Sequence, residues 1–234
     1  MIDRRRFVAT LIAGTALGAG STLFAAPAMA ERVFNTMTQR WEDIDPLARR
    51  YNRKEPPAKF KRRNVAVRTN EAPGTIIIHT DEKFLYYVTG TNKAVRYGVG
   101  VGREGFGWNG TVAIKRKEEW PTWTPPAEMR ARERAEGRIL PASMAGGPEN
   151  PLGARAMYLF KGGQDTMYRI HGTNQPWSIG LNLSSGCIRM MNKDVEDLYS
   201  RTSIGTKVIV VGPGQSIAPY LTEMTNPLAV IFGG

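Results

Sequence analysis

The side chains best suited to covalent chemistry in this chain are its single cysteine, Cys187, and one of its two histidines, His171. A cysteine attacks a carbonyl as the thiolate, and a nearby imidazole removes the thiol proton and stabilises the anion that forms. His171 ends a short run of strand composition and precedes Cys187 by 16 positions, so folding has to bring the two together. The same residue types also fit a buried structural cysteine with a hydrogen-bonded histidine, and that alternative stays open here. The other histidine, His79, follows three isoleucines and is interpreted as a core or rim residue.

The residue before the cysteine is a glycine, Gly186, and glycine lets the backbone turn tightly. A tight turn can aim backbone amides near Cys187 at the negative charge that develops on a carbonyl under attack. In another enzyme, losing one such donor costs roughly 3 to 4 kcal/mol of transition-state stabilisation. The Gly-Cys pair therefore predicts a nucleophile that lies beside its own oxyanion-binding amides.

Composition limits the class of protein. The 234 residues are 41% hydrophobic and 23% charged, which suits one packed domain with extensions and excludes a disordered or collagen-like chain. Lysine and arginine total 32 against 21 acidic residues, a net charge of +11, which favours an anionic partner such as nucleic acid, phospholipid headgroups or an acidic polymer. One cysteine excludes an internal disulfide, and one cysteine with two histidines is poor in zinc ligands, so neither a metal nor a cofactor is predicted.

The first 30 residues have the three parts of an export signal. Arginines occupy positions 4 to 6, an apolar run with small residues extends from 7 to 24, and Ala28-Met29-Ala30 fits a cleavage site. We expect cleavage after Ala30 and a periplasmic mature protein, and the arginines also resemble a twin-arginine signal. A retained membrane anchor is the alternative. Because an exported protein does not meet the chromosome, no nucleic-acid partner is expected, and the membrane is involved only through the uncleaved signal.

The rest of the chain divides into three parts by composition. Residues 31–73 are basic and interrupted by prolines, which predicts an extended lead-in, and residues 212–234 form a C-terminal tail. Between them, residues 74–211 contain short β-rich runs separated by glycines and turn residues. The predicted strands are 75–79, 83–88, 94–101, 111–115, 156–160, 167–171 and 207–211. Two short helices are predicted at 127–136 and at 193–199, the second capped by Asn192. The pattern is typical of a mainly β, mostly antiparallel domain.

Several motifs together resemble one family. They are His171-Gly172-Thr173-Asn174, Ser178-Ile179-Gly180, Ser184-Ser185-Gly186-Cys187-Ile188-Arg189-Met190, and three flanking segments at 72–78, 120–126 and 146–156. In this order they closely resemble the L,D-transpeptidase catalytic domain, with its YkuD-type fold, over residues 72–211. The resemblance implies a mixed, mostly antiparallel β-sandwich for the catalytic domain at 74–211. The segment 120–153, which carries the Pro-rich and Gly-rich loops, is expected to be a lid over the active-site groove.

The resemblance also implies roles for individual residues. Cys187 is expected to be the nucleophile and His171 the general base, with the backbone carbonyl of Gly172 holding the imidazole in its working tautomer. Arg189 is expected to pair with a substrate carboxylate, alongside Gly186 and Ser185 as substrate-binding residues. Many family members have a histidine where this chain has Ser185, so the tuning of the thiolate is expected to differ here. For Arg189, a structural salt bridge is the alternative.

The implied reaction is acyl transfer on peptidoglycan stem peptides through a cysteine thioester. D-alanine leaves, and an amine takes the acyl group, either on another stem or on an envelope protein such as an outer-membrane protein. An L,D-carboxypeptidase or hydrolase of the same fold is one alternative, and a non-catalytic peptidoglycan-binding module is another. A papain-like protease is disfavoured because its cysteine precedes its histidine, the reverse of the order here.

Overall fold

The structure is a computed structural model that describes residues 31–35, 40–44, 55–102, 107–135, 137, 139–184 and 186–224. The predicted export signal at 1–30 and residue Ser185 lie outside the described residues. The same holds for 36–39, 45–54 and 225–234 of the predicted lead-in and tail. Fourteen strands and two α-helices are present in the part of the chain that the structure describes. No helix among those residues is both long and apolar enough to cross a membrane.

The strands and helices have the following bounds. The strands are β1 Glu31–Asn35, β2 Arg40–Ile44, β3 Arg63–Arg68, β4 Ile76–His79, β5 Phe84–Gly90, β6 Lys93–Gly98, β7 Val101–Gly102, β8 Gly110–Glu119, β9 Arg155–Lys161, β10 Gln164–His171, β11 Asn182–Ser184, β12 Ile188–Arg189, β13 Lys207–Val211 and β14 Thr222–Glu223. The helices are α1 Ala127–Ala135 and α2 Asn192–Arg201. The prediction of a mainly β fold with two short helices is confirmed.

Ten strands form one mixed sheet in the order β12-β10-β9-β8-β13-β4-β5-β6-β3-β14. Most neighbours are antiparallel, whereas β13 with β4 and β10 with β12 are parallel. The parallel pairs need long crossovers, and the first of them brings β13 back beside β4 after most of the domain has been traversed. Outside this sheet, β1 pairs with β2, and β11 pairs with β7.

The two central strands are buried on both faces of the sheet. Ile76 and Ile78 of β4 belong to a large core cluster with Val195 and Leu198 of α2, whereas Ile77 between them belongs to a smaller cluster on the other face. Because successive side chains of a strand point to opposite faces, a strand covered on both sides is a continuous apolar run. This explains the uninterrupted isoleucines that the sequence places before His79.

The sheet extends beyond the predicted domain boundaries. Residues Arg63–Arg68, which we placed in the extended lead-in, form β3 and pair with β6. Residues Thr222–Glu223, in the predicted tail, pair with β3 in turn. The structure thus differs from the predicted lead-in and tail at both places. Residues 63–68 form a strand because Val67 is fully buried in the smaller cluster. The sequence did not indicate this strand because exposed arginines stand at both of its ends.

The segment predicted as a lid packs against the end of β10. Its loop is held together by Asn150, whose side-chain amide donates to the backbone carbonyls of Pro121, Met144 and Ala145. Trp123 is buried within the same segment. The Asn174 amide donates to the carbonyl of Glu149 at 2.9 Å, which ties this loop to the residues that follow His171.

Candidate active site

The site is built where the ends of two parallel strands lie side by side. The register of β10 with β12 aligns Ile170 with Ile188 and His171 with Arg189. Paired residues point to the same face of the sheet, so His171 and Arg189 share a face. Neighbouring strands are about 4.8 Å apart, and Cys187 directly precedes β12. The strand that ends at His171 therefore lies beside the segment that carries Cys187.

His171 is fully buried, and its ring is oriented by its own neighbour in sequence. Nδ1 lies 2.5 Å from the backbone oxygen of Gly172. A carbonyl oxygen only accepts, so Nδ1 carries the proton and Nε2 presents its lone pair. Nε2 has no hydrogen-bond partner among the described residues, the Cys187 thiol included. The expected contact between His171 and Gly172 is therefore present, and it leaves one ring nitrogen available as a base.

Burial and charge keep this imidazole neutral. Burial lowers the pKa of His171, and the nearby Arg189 guanidinium lowers it further, to about 3. The backbone groups of Gly172 and Leu152 raise the pKa of His171 but do not overcome this shift. At neutral pH the ring is therefore in the form that can accept a proton.

The Cys187 thiol is also neutral in the resting state. The residue is partly exposed, but burial raises the pKa of the thiol. A hydrogen bond from the Arg169 backbone and the positive charges of Arg169 and Arg189 act in the opposite direction and favour the thiolate. The site thus holds a thiol and a neutral imidazole rather than a preformed ion pair. Arg169 and Arg189 favour ionisation of the thiol, whereas the nearby Asp165 carboxylate opposes it.

The loop before Cys187 is held by one hydroxyl and two aromatic rings. Ser184 Oγ donates to the Cys187 carbonyl at 2.6 Å and accepts from the Gly186 N–H at 3.1 Å. The indole Nε1 of Trp108 donates to the Gly186 carbonyl at 3.1 Å. The Trp108 ring stacks on Tyr168 with centroids 4.7 Å apart and planes 5° from parallel. The predicted tight turn at Gly186 is thus present, and its backbone polar groups have defined partners.

Arg189 lies inside the domain, on β12 where this strand pairs with β10. Its side chain is fully buried, and Nη1 lies 3.5 Å from Oε1 of Gln175. Its contribution in this structure is electrostatic, through the pKa values of His171 and Cys187. Pairing with a substrate carboxylate, which the family resemblance implies, stays a prediction.

Asn192 does not cap α2 as we expected. The cap position is Met191, without a side-chain hydrogen bond, and α2 starts at Asn192 itself. The Asn192 Oδ1 instead accepts from the backbone N–H of Ala154 at 3.0 Å and of Thr173 at 3.2 Å. A Cβ on Gly172 would collide with this oxygen, so the close approach depends on glycine. Asn192 therefore joins the lid end to the residue after Gly172.

Two other residues singled out in the sequence, His79 and Ser185, are not among the described residues that the structure brings together here. His79 lies on β4, which β13, β8 and β9 separate from β10 in the sheet, so it does not belong to this site. Ser185 lies outside the described residues, and its substrate-binding role stays a prediction. Among the described residues, no group of three or more His, Cys, Asp and Glu side chains could hold a metal ion.

Sequence reasoning missed Arg169. Its guanidinium forms a two-pronged ion pair with Asp165, at 2.7 and 2.9 Å, across a bulge in β10. Arg169 precedes His171 by two residues on one strand, so period-two alternation places both on one face. That spacing was the available signal. Trp108 carried no such signal, because its contact with Gly186 joins segments far apart in sequence.

We expect the free energy of unfolding to fall as the pH is lowered from 6.5 towards 3, in part through His171. The folded-state pKa is lowered from 6.5 to about 3, so within this window the unfolded chain binds a proton that the folded protein excludes. One proton corresponds to a slope of about 1.4 kcal/mol per pH unit. Urea unfolding at several pH values between 7 and 4 measures it, with His171→Gln for comparison. The variant should have the shallower slope, and equal slopes would contradict the assignment.

Gly186→Ala should disrupt the cysteine loop. Gly186 has φ +107°, which L residues rarely adopt, and an added Cβ would collide with Cε1 of the Tyr168 ring. We expect a loss of about 2 to 4 kcal/mol in the free energy of unfolding, together with slower acylation of Cys187. Gly147→Ala is the matched control because a Cβ there has open space within 4 Å. Equal stability of the two variants, measured by urea denaturation, would show that the turn tolerates a side chain.

The fold and the site define a class of protein: a mainly β domain with a buried, carbonyl-oriented histidine at the end of one strand and a cysteine just before the parallel strand beside it. A family model described as the L,D-transpeptidase catalytic domain, YkuD, matches residues 73–210. The chain belongs to this family, which contains transferases.

Individual relatives agree with the family. "Probable L,D-transpeptidase YbiS" of Escherichia coli K12 is 39% identical over 137 residues, which are 58% of this chain and 43% of that protein. "Probable L,D-transpeptidase YcfS" of the same strain is 37% identical over 164 residues, 67% of this chain and 51% of that one. The chain thus spans about half the length of these curated relatives, or less.

A crystal structure from Brucella melitensis is also similar to this chain. It is described as a "Probable carnitine operon oxidoreductase caia" and is 50% identical. The match covers 66% of this chain and 95% of that one, with a TM-score of 0.45. That description refers to the Brucella protein, and family membership here depends on the match to residues 73–210.

Proposed function

We propose that this protein is an L,D-transpeptidase that acts on peptidoglycan stem peptides through a thioester on Cys187. The observation that carries the proposal is the His171 ring, whose Nδ1 is hydrogen-bonded to the Gly172 carbonyl and whose Nε2 has no hydrogen-bond partner among the described residues. His171 ends the strand that pairs with β12, and Cys187 directly precedes β12. A neutral imidazole with one fixed nitrogen and one available nitrogen is what a general base for a thiol requires.

Acylation is the first half of the proposed reaction. His171 Nε2 takes the proton from the Cys187 thiol as the sulfur attacks the carbonyl between the third, diamino residue and the terminal D-alanine. The tetrahedral intermediate carries a negative oxygen, which the backbone amide of Cys187 stabilises. On collapse, the carbon–nitrogen bond breaks, and the imidazolium returns its proton to the departing D-alanine amine. The thioester and free D-alanine are the products of this half.

Transfer is the second half. An acceptor amine loses a proton to His171 and attacks the thioester carbonyl, and the sulfur leaves as a thiolate that the imidazolium protonates. With the side-chain amine of another stem, the product is a cross-link between third residues. An amine of an outer-membrane protein would attach that protein to the wall, and water would make the enzyme a carboxypeptidase.

Charge near the thiol supports nucleophilic attack from a resting neutral pair. Arg169 and Arg189 both favour the anionic form of Cys187, so the thiolate is stabilised as it forms. The chain has a net charge of +11, of which the predicted export signal carries only +2, so the mature protein would remain basic. A basic protein suits a wall polymer that carries carboxylates, and the predicted signal would deliver it to the periplasm. In the proposed enzyme, the segment 120–153 limits access of water to the thioester.

Incubation of the purified protein with disaccharide tetrapeptides tests the proposal. We expect release of D-alanine and formation of cross-linked dimers, identified by mass spectrometry. Disaccharide tripeptides are the matched control because they lack the D-alanine that has to leave. Tripeptide monomers without dimers would favour the carboxypeptidase alternative, and the absence of any D-alanine release would contradict catalysis altogether.

A further inference from the structure

The Gly186–Cys187 peptide bond is oriented by a side chain from another part of the chain. Trp108, which precedes β8, donates its indole N–H to the Gly186 carbonyl at 3.1 Å. In a planar trans peptide, the carbonyl and the following N–H point in opposite directions. Fixing the Gly186 oxygen on the indole therefore directs the Cys187 N–H away from Trp108.

Ser184 restricts which amide of this turn is available to a ligand. Its hydroxyl accepts from the Gly186 N–H at 3.1 Å and donates to the Cys187 carbonyl at 2.6 Å. The Gly186 amide is therefore already engaged within the protein. This leaves the Cys187 amide as the oxyanion donor whose direction depends on the Trp108 contact.

The indole itself is rigidly supported. It stacks on Tyr168 with a centroid separation of 4.7 Å and an interplanar angle of 5°. Tyr168 belongs to β10, three residues before His171, and the Gly186 Cα lies against the same ring, where a Cβ would not fit. The stacked pair thus connects the turn that carries the nucleophile to the strand that carries the base.

We propose that Trp108 is a positioning residue that aims the Cys187 N–H at the oxyanion of the tetrahedral intermediate. The proposal rests on the proposed acyl-transfer function. A purely structural role for Trp108 would affect all reactions of Cys187, whereas a positioning role affects only those that develop an oxyanion. Attack of the thiolate on an alkyl halide develops no oxyanion, whereas acylation does, so Trp108 should matter for acylation and not for alkylation.

The test is Trp108→Phe, which keeps an aromatic ring for stacking on Tyr168 and removes the N–H donor. Acylation of Cys187 by a carbapenem and by tetrapeptide stems is followed by intact mass, and alkylation by iodoacetamide is followed at the same pH. We expect acylation to slow by roughly tenfold or more, mainly in kcat rather than KM, because the oxyanion contact exists only in the transition state. Alkylation should stay within about twofold of wild type.

The matched control is Tyr87→Phe. It removes an aromatic donor to a backbone carbonyl, the Tyr87 Oη to Arg201 contact of 2.9 Å, far from the site. Its acylation rate should equal that of wild type. A second variant, Trp108→His, keeps a planar ring and an N–H donor and should acylate faster than Trp108→Phe.

The outcomes separate the two proposals. Equal losses of acylation and alkylation in Trp108→Phe, or no loss of acylation, would overturn the positioning role. If Trp108→Phe does not fold, Trp108→His tests the positioning role instead. Equal slowing of acylation and alkylation in Trp108→His would overturn that role as well. If neither the carbapenem nor the tetrapeptide stems acylate Cys187 in wild-type protein, the proposed function fails, and the role of Trp108 fails with it.

Discussion

Cys187→Ala should abolish covalent capture of a carbapenem and all release of D-alanine from tetrapeptide stems. The expected effect is complete because Cys187 is the only thiol in the chain, and no neighbouring side chain can supply the sulfur. A carbapenem has a reactive β-lactam carbonyl, so it should acylate Cys187 if this residue is the proposed nucleophile. Intact mass spectrometry should therefore show one adduct on wild-type protein and none on the variant.

The control for this experiment is Ser203→Ala, an exposed hydroxyl in the turn after α2. It should form the adduct at the wild-type rate. Melting temperatures of both variants verify that the fold is intact. An adduct on the alanine variant would place the nucleophile elsewhere and contradict the role of Cys187.

His171→Gln should lower the rate of Cys187 acylation by roughly 10²- to 10⁴-fold, the contribution typical of a positioned general base. The thiol pKa is raised by burial, so near neutral pH few molecules hold a thiolate without help from a base. Because the imidazole pKa is lowered to about 3, wild-type protein should not lose activity through His171 protonation between pH 5 and 7. Its rate should depend on pH mainly through the thiol, on the alkaline side.

The rates of alkylation and of acylation of Cys187 test the base role. Alkylation of Cys187 is measured from pH 6 to 10 in wild type and in His171→Gln, and the variant should be slower near neutrality and converge with wild type at alkaline pH. His79→Gln is the control, since His79 lies on a distant strand. If alkylation and acylation of the His171 variant matched wild type throughout, His171 would not be the base.

Much of the fold was predictable because its determinants are local. Strand β13 was predicted at 207–211, which are its bounds in the structure. The signal was five residues of β-rich composition that end at a Gly-Pro-Gly turn. Helix α1 was predicted within one residue from its prolines and its following glycine. By contrast, β3 was missed because it has only two valines, it begins at the end of a basic run, and its pairing partner, β6, comes later in the chain.

The candidate site divides in a similar way. The types and order of His171, Gly172, Gly186 and Cys187 are readable from the sequence, because each does its chemistry with its own functional group or its own backbone. Burial of Arg189, the bond from Trp108 to Gly186 and the use of Asn192 as a link between loops were not readable. These properties depend on which segments the order of strands in the sheet brings into contact. Trp108 and Gly186 are 78 positions apart, so no periodic pattern in the sequence indicates that they meet. The sequence alone thus determines which chemical groups are present, whereas their pKa values and orientations depend on contacts between residues far apart in the chain.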